Sequence, residues 1–172
     1  MPLGLPLTLP TFISKEGVMM TRKILVPYDF TSYNQKALDF VVENFGNSPD
    51  VHVTLFHAYA QLPEIDLTAN PEMLKLRSPM ISLKQELREK ETELKALTRY
   101  FVKNGFGEEQ LKCIFQEREK GVSEAIVRMA KKEGCRIIVL SRSSGRVSLL
   151  MGRSTSSKII TSLTDVTVCI AL

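Results

Sequence analysis

Five short apolar runs alternate with four stretches of helical periodicity, and this order restricts the fold more than any other feature of the chain. The runs are Lys23–Pro27, Val51–Ala58, Leu111–Gln116, Cys135–Ser141 and Val166–Leu172. Because strands that are apolar throughout and separated by helices are buried on both faces, the pattern predicts a parallel sheet. Right-handed connections then give an α/β, doubly wound fold with helices on both faces of the sheet.

The stretches between the runs carry the signals of helices. The first predicted helix covers Tyr33–Phe45, where Ser32 and Gln35 have the spacing of a capping box. The other predicted helices are Ile81–Lys103, Gly121–Gly134 and Ser154–Ser162. Three prolines predict irregular chain over Gln61–Pro79.

Residues 1–19 precede the first predicted strand and contain three prolines, Pro2, Pro6 and Pro10. They lack the basic start and the small-residue cleavage site of a secretory signal peptide. We expect either a disordered or extended leader or a start codon assigned upstream of Met19 and Met20. The remaining residues, 20–172, are predicted to form one domain.

The charge distribution argues against a nucleic-acid partner. The chain has 23 lysines and arginines against 19 aspartates and glutamates, for a net charge of +4. Over Lys84–Lys103 the two signs interleave, which is typical of a solvent-exposed helix face with local ion pairs. No apolar run approaches the roughly 18 residues that a membrane helix needs, so no membrane partner is expected either.

The cysteines and histidines restrict the compartment and the chemistry. Cys113, Cys135 and Cys169 are odd in number and form no C-x-x-C motif, which favours a reducing compartment and hence the cytoplasm. They lie in or beside apolar runs, so we expect buried, inert thiols, with a redox role as the alternative. His52 and His57 have no ligand partners at metal spacing, so no metal site is predicted.

The turn after the first predicted strand is the first candidate for a ligand site. Ligands of doubly wound sheets bind outside the carboxyl ends of the strands, at the switch point. Asp29 lies there, between an apolar strand and a helix. Its carboxylate could accept hydrogen bonds from a ribose or a base or hold a metal that bridges phosphates. The alternative is that Asp29 caps the first helix.

The turn after the fourth predicted strand, Ser141–Thr155, is the second candidate and is rich in glycine and hydroxyl groups. Free backbone N–H groups and the helix dipole at such a helix start favour a phosphate. Arg142, Arg146 and Arg153 would add charge-assisted contacts. The alternative is a flexible loop in which Ser154 caps the following helix.

Three familiar motifs are missing from the sequence. It contains no G-x-x-x-x-G-K-[ST] and no G-x-G-x-x-G, the two common phosphate-binding patterns. It also lacks the G-x-S-x-G of serine hydrolases and a histidine at the place a triad would need. Nothing in the sequence therefore predicts a hydrolase centre.

Several segments resemble the universal stress protein family. Lys23–Thr31 is similar to the opening strand of these proteins, which ends in Pro-x-Asp-Phe/Gly-Ser/Thr. The other similar segments are Val53–Ala58, Arg136–Ser141, Leu150–Ser154 and Val166–Ala171. The resemblance covers about residues 22–172. It implies a five-stranded sheet in the order 3-2-1-4-5 and a homodimer paired through the C-terminal strand, whose uncharged edge also invites pairing.

The resemblance also implies a ligand, ATP with magnesium, held by Gly-x-x-Gly-x9-Gly-Ser/Thr after the fourth strand. Carried over by position, the nucleotide-binding candidates are Asp29, Ala58, Leu140, Ser141, Ser144, Gly152, Arg153 and Ser154. In this assignment Asp29 faces the nucleotide and Ala58 offers backbone groups to adenine. Gly152 and Ser154 meet phosphate.

The sequence departs from that motif at its first position, where Ser141 replaces glycine, and Ser144 or Gly145 lies near the second. Gly152 follows Ser141 by 11 positions, whereas the full motif spans 13. The β-carbon of a serine crowds a place where backbone must approach phosphate closely. Family members that do not bind ATP resemble this shortened form.

These observations together predict a non-enzymatic, homodimeric stress-response protein whose nucleotide site is altered. The first alternative is a regulator that senses ATP or another adenine nucleotide and hydrolyses it slowly, if at all. The second alternative is a scaffold that acts through protein contacts without a ligand.

Overall fold

The structure is a computed structural model that describes residues 21–63, 77–141 and 155–172. The strands are β1 (Arg22–Pro27), β2 (Val51–Ala60), β3 (Leu111–Arg118), β4 (Ile137–Ser141) and β5 (Thr167–Ala171). The helices are α1 (Asn34–Phe45), α2 (Arg77–Ala96), α3 (Thr98–Lys103), α4 (Val122–Glu133) and α5 (Thr155–Ser162). A short 3-10 helix, Glu108–Gln110, precedes β3 and was not predicted.

The five strands form one parallel sheet in the order β3-β2-β1-β4-β5, which confirms the predicted fold. In the register, Ile24 of β1 lies opposite Val53 of β2 on one side and Ile137 of β4 on the other. The chain order reverses between β1 and β4, so the turns after these two strands meet at the switch point. β3 and β5 are the two edges.

Each face of the sheet is covered by its own helices. One cluster, called here the first cluster, joins Val26 and Leu55 to residues of α1, α2 and α3, among them Leu38 and Phe101. The second cluster joins Leu25 and other side chains of the opposite face to residues of α4 and α5. This segregation follows from right-handed connections that run outward from β1 in both directions. Each fully buried Leu or Ile in these clusters contributes roughly 1.5–3 kcal/mol.

Two local predictions were wrong. The capping box is absent: α1 has Tyr33 as its N-cap without a side-chain cap hydrogen bond, and the Gln35 amide donates to Asp39 instead. The helix predicted at Ile81–Lys103 is divided at Leu97 into α2 and α3.

The start of the long helix also differs from the prediction. The residues 77–79 are helical, although the sequence predicted irregular chain as far as Pro79. Pro79 lies within the described part of α2. The predicted end of α4 at Gly134 is confirmed: Gly134 is its C-cap, and its backbone is left-handed.

The cysteines, all three of which the structure describes, are free thiols. Cys135 is buried, and burial raises the pKa of its thiol to about 11. Burial also raises the pKa of Cys113, which like Cys169 is only half-buried. The expectation of an unreactive thiol is therefore supported most clearly at Cys135.

The predicted leader, residues 1–19, lies outside the described residues. No helix in the three described ranges is both long and apolar enough to cross a membrane.

Candidate functional site

A cavity of about 180 Å³ lies at the carboxyl edge of the sheet, at the switch point. Its lining comes from the C-terminal parts of β1, β2 and β4 and the turn after β1, from the N-terminal parts of α1 and α4, and from the first described residues of α5. Leu140 and Ile126 form part of its apolar wall, and Asp29, Asn34 and Ser141 contribute polar groups. An apolar cavity with a few convergent polar groups at this place is the usual form of a ligand site in such folds.

Asn34 holds together the two turns that border the cavity. It is 1% exposed although it is polar. Its side-chain oxygen accepts hydrogen bonds from the backbone N–H of Asp29 at 2.9 Å and of Thr31 at 3.2 Å. Its side-chain nitrogen donates to the Ser141 hydroxyl at 2.7 Å. The end of β1 and the end of β4 are thus connected through one buried amide.

The Asp29 carboxylate shapes the turn after β1 and remains accessible from the cavity. It accepts hydrogen bonds from the Thr31 hydroxyl at 2.6 Å and from the Thr31 backbone N–H at 3.1 Å. Asp29 is exposed and lines the cavity, whereas the N-cap of α1 is Tyr33. Asp29 therefore lines the cavity and does not cap α1, and its role toward a ligand stays a prediction.

Phe30 adopts a left-handed backbone conformation, with φ of 62°, which costs free energy for a bulky side chain. Its ring meets the rings of Tyr28 and His57 edge to face, with centroids 5.0 and 4.8 Å apart. These contacts stabilise the turn that carries Asp29 to the cavity.

His57 precedes Ala58 in β2, so its side chain points to the opposite face of the sheet, although the residue also borders the cavity. Its ring stacks on Phe115 with centroids 5.1 Å apart, and its Nδ1 lies 2.7 Å from the Tyr28 carbonyl oxygen. Since a carbonyl oxygen only accepts, Nδ1 carries the hydrogen of the neutral ring. Burial lowers the pKa of His57, and the bond to Tyr28 opposes that shift without cancelling it.

The structure brings together four of the eight nucleotide-binding candidates. Asp29, Ala58, Leu140 and Ser141 all line the cavity. The other four, Ser144, Gly152, Arg153 and Ser154, lie outside the described residues, as do the arginines Arg142 and Arg146. The described lining nearest to them is Thr155 and Ser156, at the start of α5.

Asn34 was not predicted as a site residue from the sequence. A signal for it exists, because Asn34 precedes Ala37, Leu38 and Val41 by three, four and seven positions and therefore lies on the buried face of α1. A polar side chain on such a face needs a hydrogen-bonded partner. The sequence does not reveal that this partner is Ser141, 107 positions away.

Comparison with known proteins agrees with this geometry. The model of the universal stress protein family matches residues 20–169. The chain belongs to this family. No curated protein matches it.

Solved structures with the same fold come from several sources. The hypothetical protein MJ0577 is 22% identical, with a TM-score of 0.62 over 88% of this chain and 96% of its own. A universal stress protein from Archaeoglobus fulgidus in complex with dAMP is 16% identical, with a TM-score of 0.53 over 90% of this chain and 100% of its own. A family protein from Arabidopsis thaliana with AMP bound is 13% identical, with a TM-score of 0.56 over 88% and 92%. At these identities the similarity shows the shared fold alone.

Proposed function

We propose that this universal stress protein is a stress-response protein that acts by binding an adenine nucleotide, without catalysing a reaction. The observation that carries the proposal is the cavity at the switch point, which brings Asp29, Ala58, Leu140 and Ser141 together. Proteins of the same fold have been solved with AMP and dAMP. The cavity is smaller than the about 300–1,000 Å³ of pockets that enclose a whole small molecule, so it would hold part of a nucleotide.

The groups around the cavity suit the parts of a nucleotide. Leu140 and Ile126 offer apolar surface to a base, and Ala58 leaves room for it beside β2. The Asp29 carboxylate is an acceptor for ribose hydroxyls. The start of α5, at Thr155, favours the negative charge of phosphate through its dipole.

The site is altered at Ser141 rather than closed. The serine replaces the glycine of the family's ATP-binding motif, yet the cavity beside it remains open. We therefore prefer a binding regulator to a scaffold without a ligand. Magnesium would accompany ATP, bound by the phosphate oxygens of the nucleotide and by water.

The test is calorimetric titration of the full chain with ATP, with and without magnesium, and with AMP. We expect saturable binding at a stoichiometry of one nucleotide per chain, and no release of phosphate over hours. A flat titration with every nucleotide would contradict the proposal and favour the scaffold. Steady phosphate release that stops when Asp29 is replaced by Asn would instead show an enzyme.

We further propose that two copies pair through β5. This strand is an edge of the sheet, none of its residues is fully buried, and Leu172 beyond it is 70% exposed. An apolar edge of this kind is stabilised by pairing with a second chain. Light scattering should give twice the 19.4 kDa of one chain, and a monomer at micromolar concentration would overturn the pairing. The free thiols support a reducing compartment, for which we propose the cytoplasm.

A further inference from the structure

The hydrogen bonds around Asn34 have a fixed direction. Two backbone N–H groups, from Asp29 and Thr31, point at one end of its side-chain amide. Because an N–H only donates, that end is the amide oxygen, and the nitrogen must be the end that faces Ser141. The contact of 2.7 Å is therefore a bond in which Asn34 donates and the Ser141 oxygen accepts.

This direction determines what the Ser141 hydroxyl can do. A hydroxyl has one hydrogen to donate, and the bond from Asn34 does not use it. Among the described residues no acceptor takes that hydrogen, and Ser141 lines the cavity. The chain of bonds from the backbone of the β1 turn through Asn34 also polarises the hydroxyl and strengthens it as a donor.

We infer that Ser141 is a specificity-determining residue that donates a hydrogen bond to an oxygen of the bound nucleotide, and that Asn34 is the positioning residue that sets its direction. This inference rests on the proposed function. Where a glycine would let the backbone approach phosphate closely, Ser141 instead offers a side-chain hydroxyl that donates a hydrogen bond in a fixed direction. The ligand must present an acceptor oxygen at the end of β4, from its phosphate or from its ribose.

The experiment is a double-mutant cycle on ATP affinity, measured by calorimetry, with S141A, N34D and the double variant. S141A removes the donor and should weaken binding roughly three- to tenfold, the usual effect of one lost hydrogen bond. In N34D the carboxylate accepts the two backbone N–H bonds but cannot donate to Ser141. The hydroxyl must then donate to residue 34 and present lone pairs to the ligand, so affinity should fall at least as much.

If Asn34 positions Ser141, the effects of N34D and S141A on ATP affinity should not add. If Asn34 acts through Ser141, N34D should weaken binding much less in the S141A background than in the wild type. A direct electrostatic effect of the new charge would weaken binding equally in both. S162A, which removes an exposed hydroxyl at the end of α5, is the matched control and should bind as the wild type does. Thermal unfolding of each variant checks that the fold is intact.

Repeating the S141A comparison with AMP and with adenosine identifies the acceptor. If S141A also weakens the binding of adenosine, the acceptor is a ribose oxygen. If S141A weakens only the binding of nucleotides with phosphate, the acceptor is a phosphate oxygen. If S141A or S141G binds as tightly as the wild type, or more tightly, the serine is only an obstruction and the inference is overturned while the proposed function stands. A titration of the wild type that shows no binding would contradict both the proposed function and the inference about Ser141.

Discussion

At the carboxyl edge of the sheet, one face is packed with aromatic rings and the other borders a cavity, although the same strands contribute to both faces. On the face of the first cluster, alternate residues of β2 place His57 and Tyr59 against Phe115, and their rings stack with centroids 5.1 and 4.9 Å from that of Phe115. Phe30 and Tyr28 extend the aromatic group. On the opposite face, β2 presents Ala58, whose small side chain leaves the cavity open.

One strand, β2, can thus serve both stability and binding near the same edge of the sheet. Successive residues of a strand point to opposite faces, so a change of residue size on one face need not disturb the other. The aromatic face, called here the closed face, mainly contributes packing, although Tyr28 and His57 also border the cavity, whereas the Ala58 face, the open face, contributes space. Substitutions on the two faces should therefore affect different properties, stability on one face and nucleotide affinity on the other.

The largest effect on stability is expected on the closed face. Replacing Phe115 by Ala removes its stacking with His57 and Tyr59, and should lower the free energy of unfolding by about 2–3 kcal/mol, since Phe115 is half-buried and the range for a buried Phe is about 3–5. The melting temperature should fall by roughly 4–12 °C. Nucleotide affinity should stay within twofold of the wild type.

The matched control for this variant is Ile160→Ala, because Ile160 is 51% exposed on α5 and its truncation should change stability by less than about 0.5 kcal/mol. Denaturant unfolding gives the free energies, and calorimetry gives the affinity. A Phe115 variant that loses nucleotide binding while it stays folded would show that the two faces are not independent.

The next effect is expected on the open face. Replacing Ala58 by Leu places a branched side chain in the cavity and should weaken nucleotide binding at least tenfold, or about 1.4 kcal/mol, with little loss of stability. Ala60→Leu is the control, since Ala60 points to the same face of β2 but is exposed and outside the lining. Equal affinities for the two variants would place the nucleotide elsewhere.

The sequence predicted the fold because its apolar runs alternate so regularly with helical stretches that the faces and the parallel pairing follow. Asp29 and Ser141 were predicted from the turns after the first and fourth strands, and the family resemblance added Ala58 and Leu140 by position; all four line the cavity. What it could not give was the bond between Asn34 and Ser141, which depends on tertiary packing. The predicted capping box failed because α1 begins one residue later than the sequence indicates, with Tyr33 rather than Ser32 as its N-cap.

The smallest effect concerns the protonation of His57 on the closed face. Burial lowers the pKa of its ring in the folded protein, the nearby cations Lys90 and Arg118 act in the same direction, and Asp29 and the Tyr28 carbonyl oppose them. A histidine with a lowered pKa binds its proton more readily in the unfolded chain. Its contribution to stability is therefore present above a pH of about 6.5 and is lost as the pH falls below that value.

We expect the free energy of unfolding to fall between pH 7 and pH 5, by a fraction of the roughly 1.4 kcal/mol per pH unit that a single group can contribute. His57→Asn keeps a donor near the Tyr28 carbonyl but cannot titrate. This variant should be less stable at pH 7, because it loses the ring contacts of His57, and its free energy of unfolding should fall less between pH 7 and pH 5. If the free energy of unfolding of the His57 variant falls with pH at the same slope as that of the wild type, other groups cause the acid sensitivity. The aromatic packing would then be the difference that remains between the closed face and the open face.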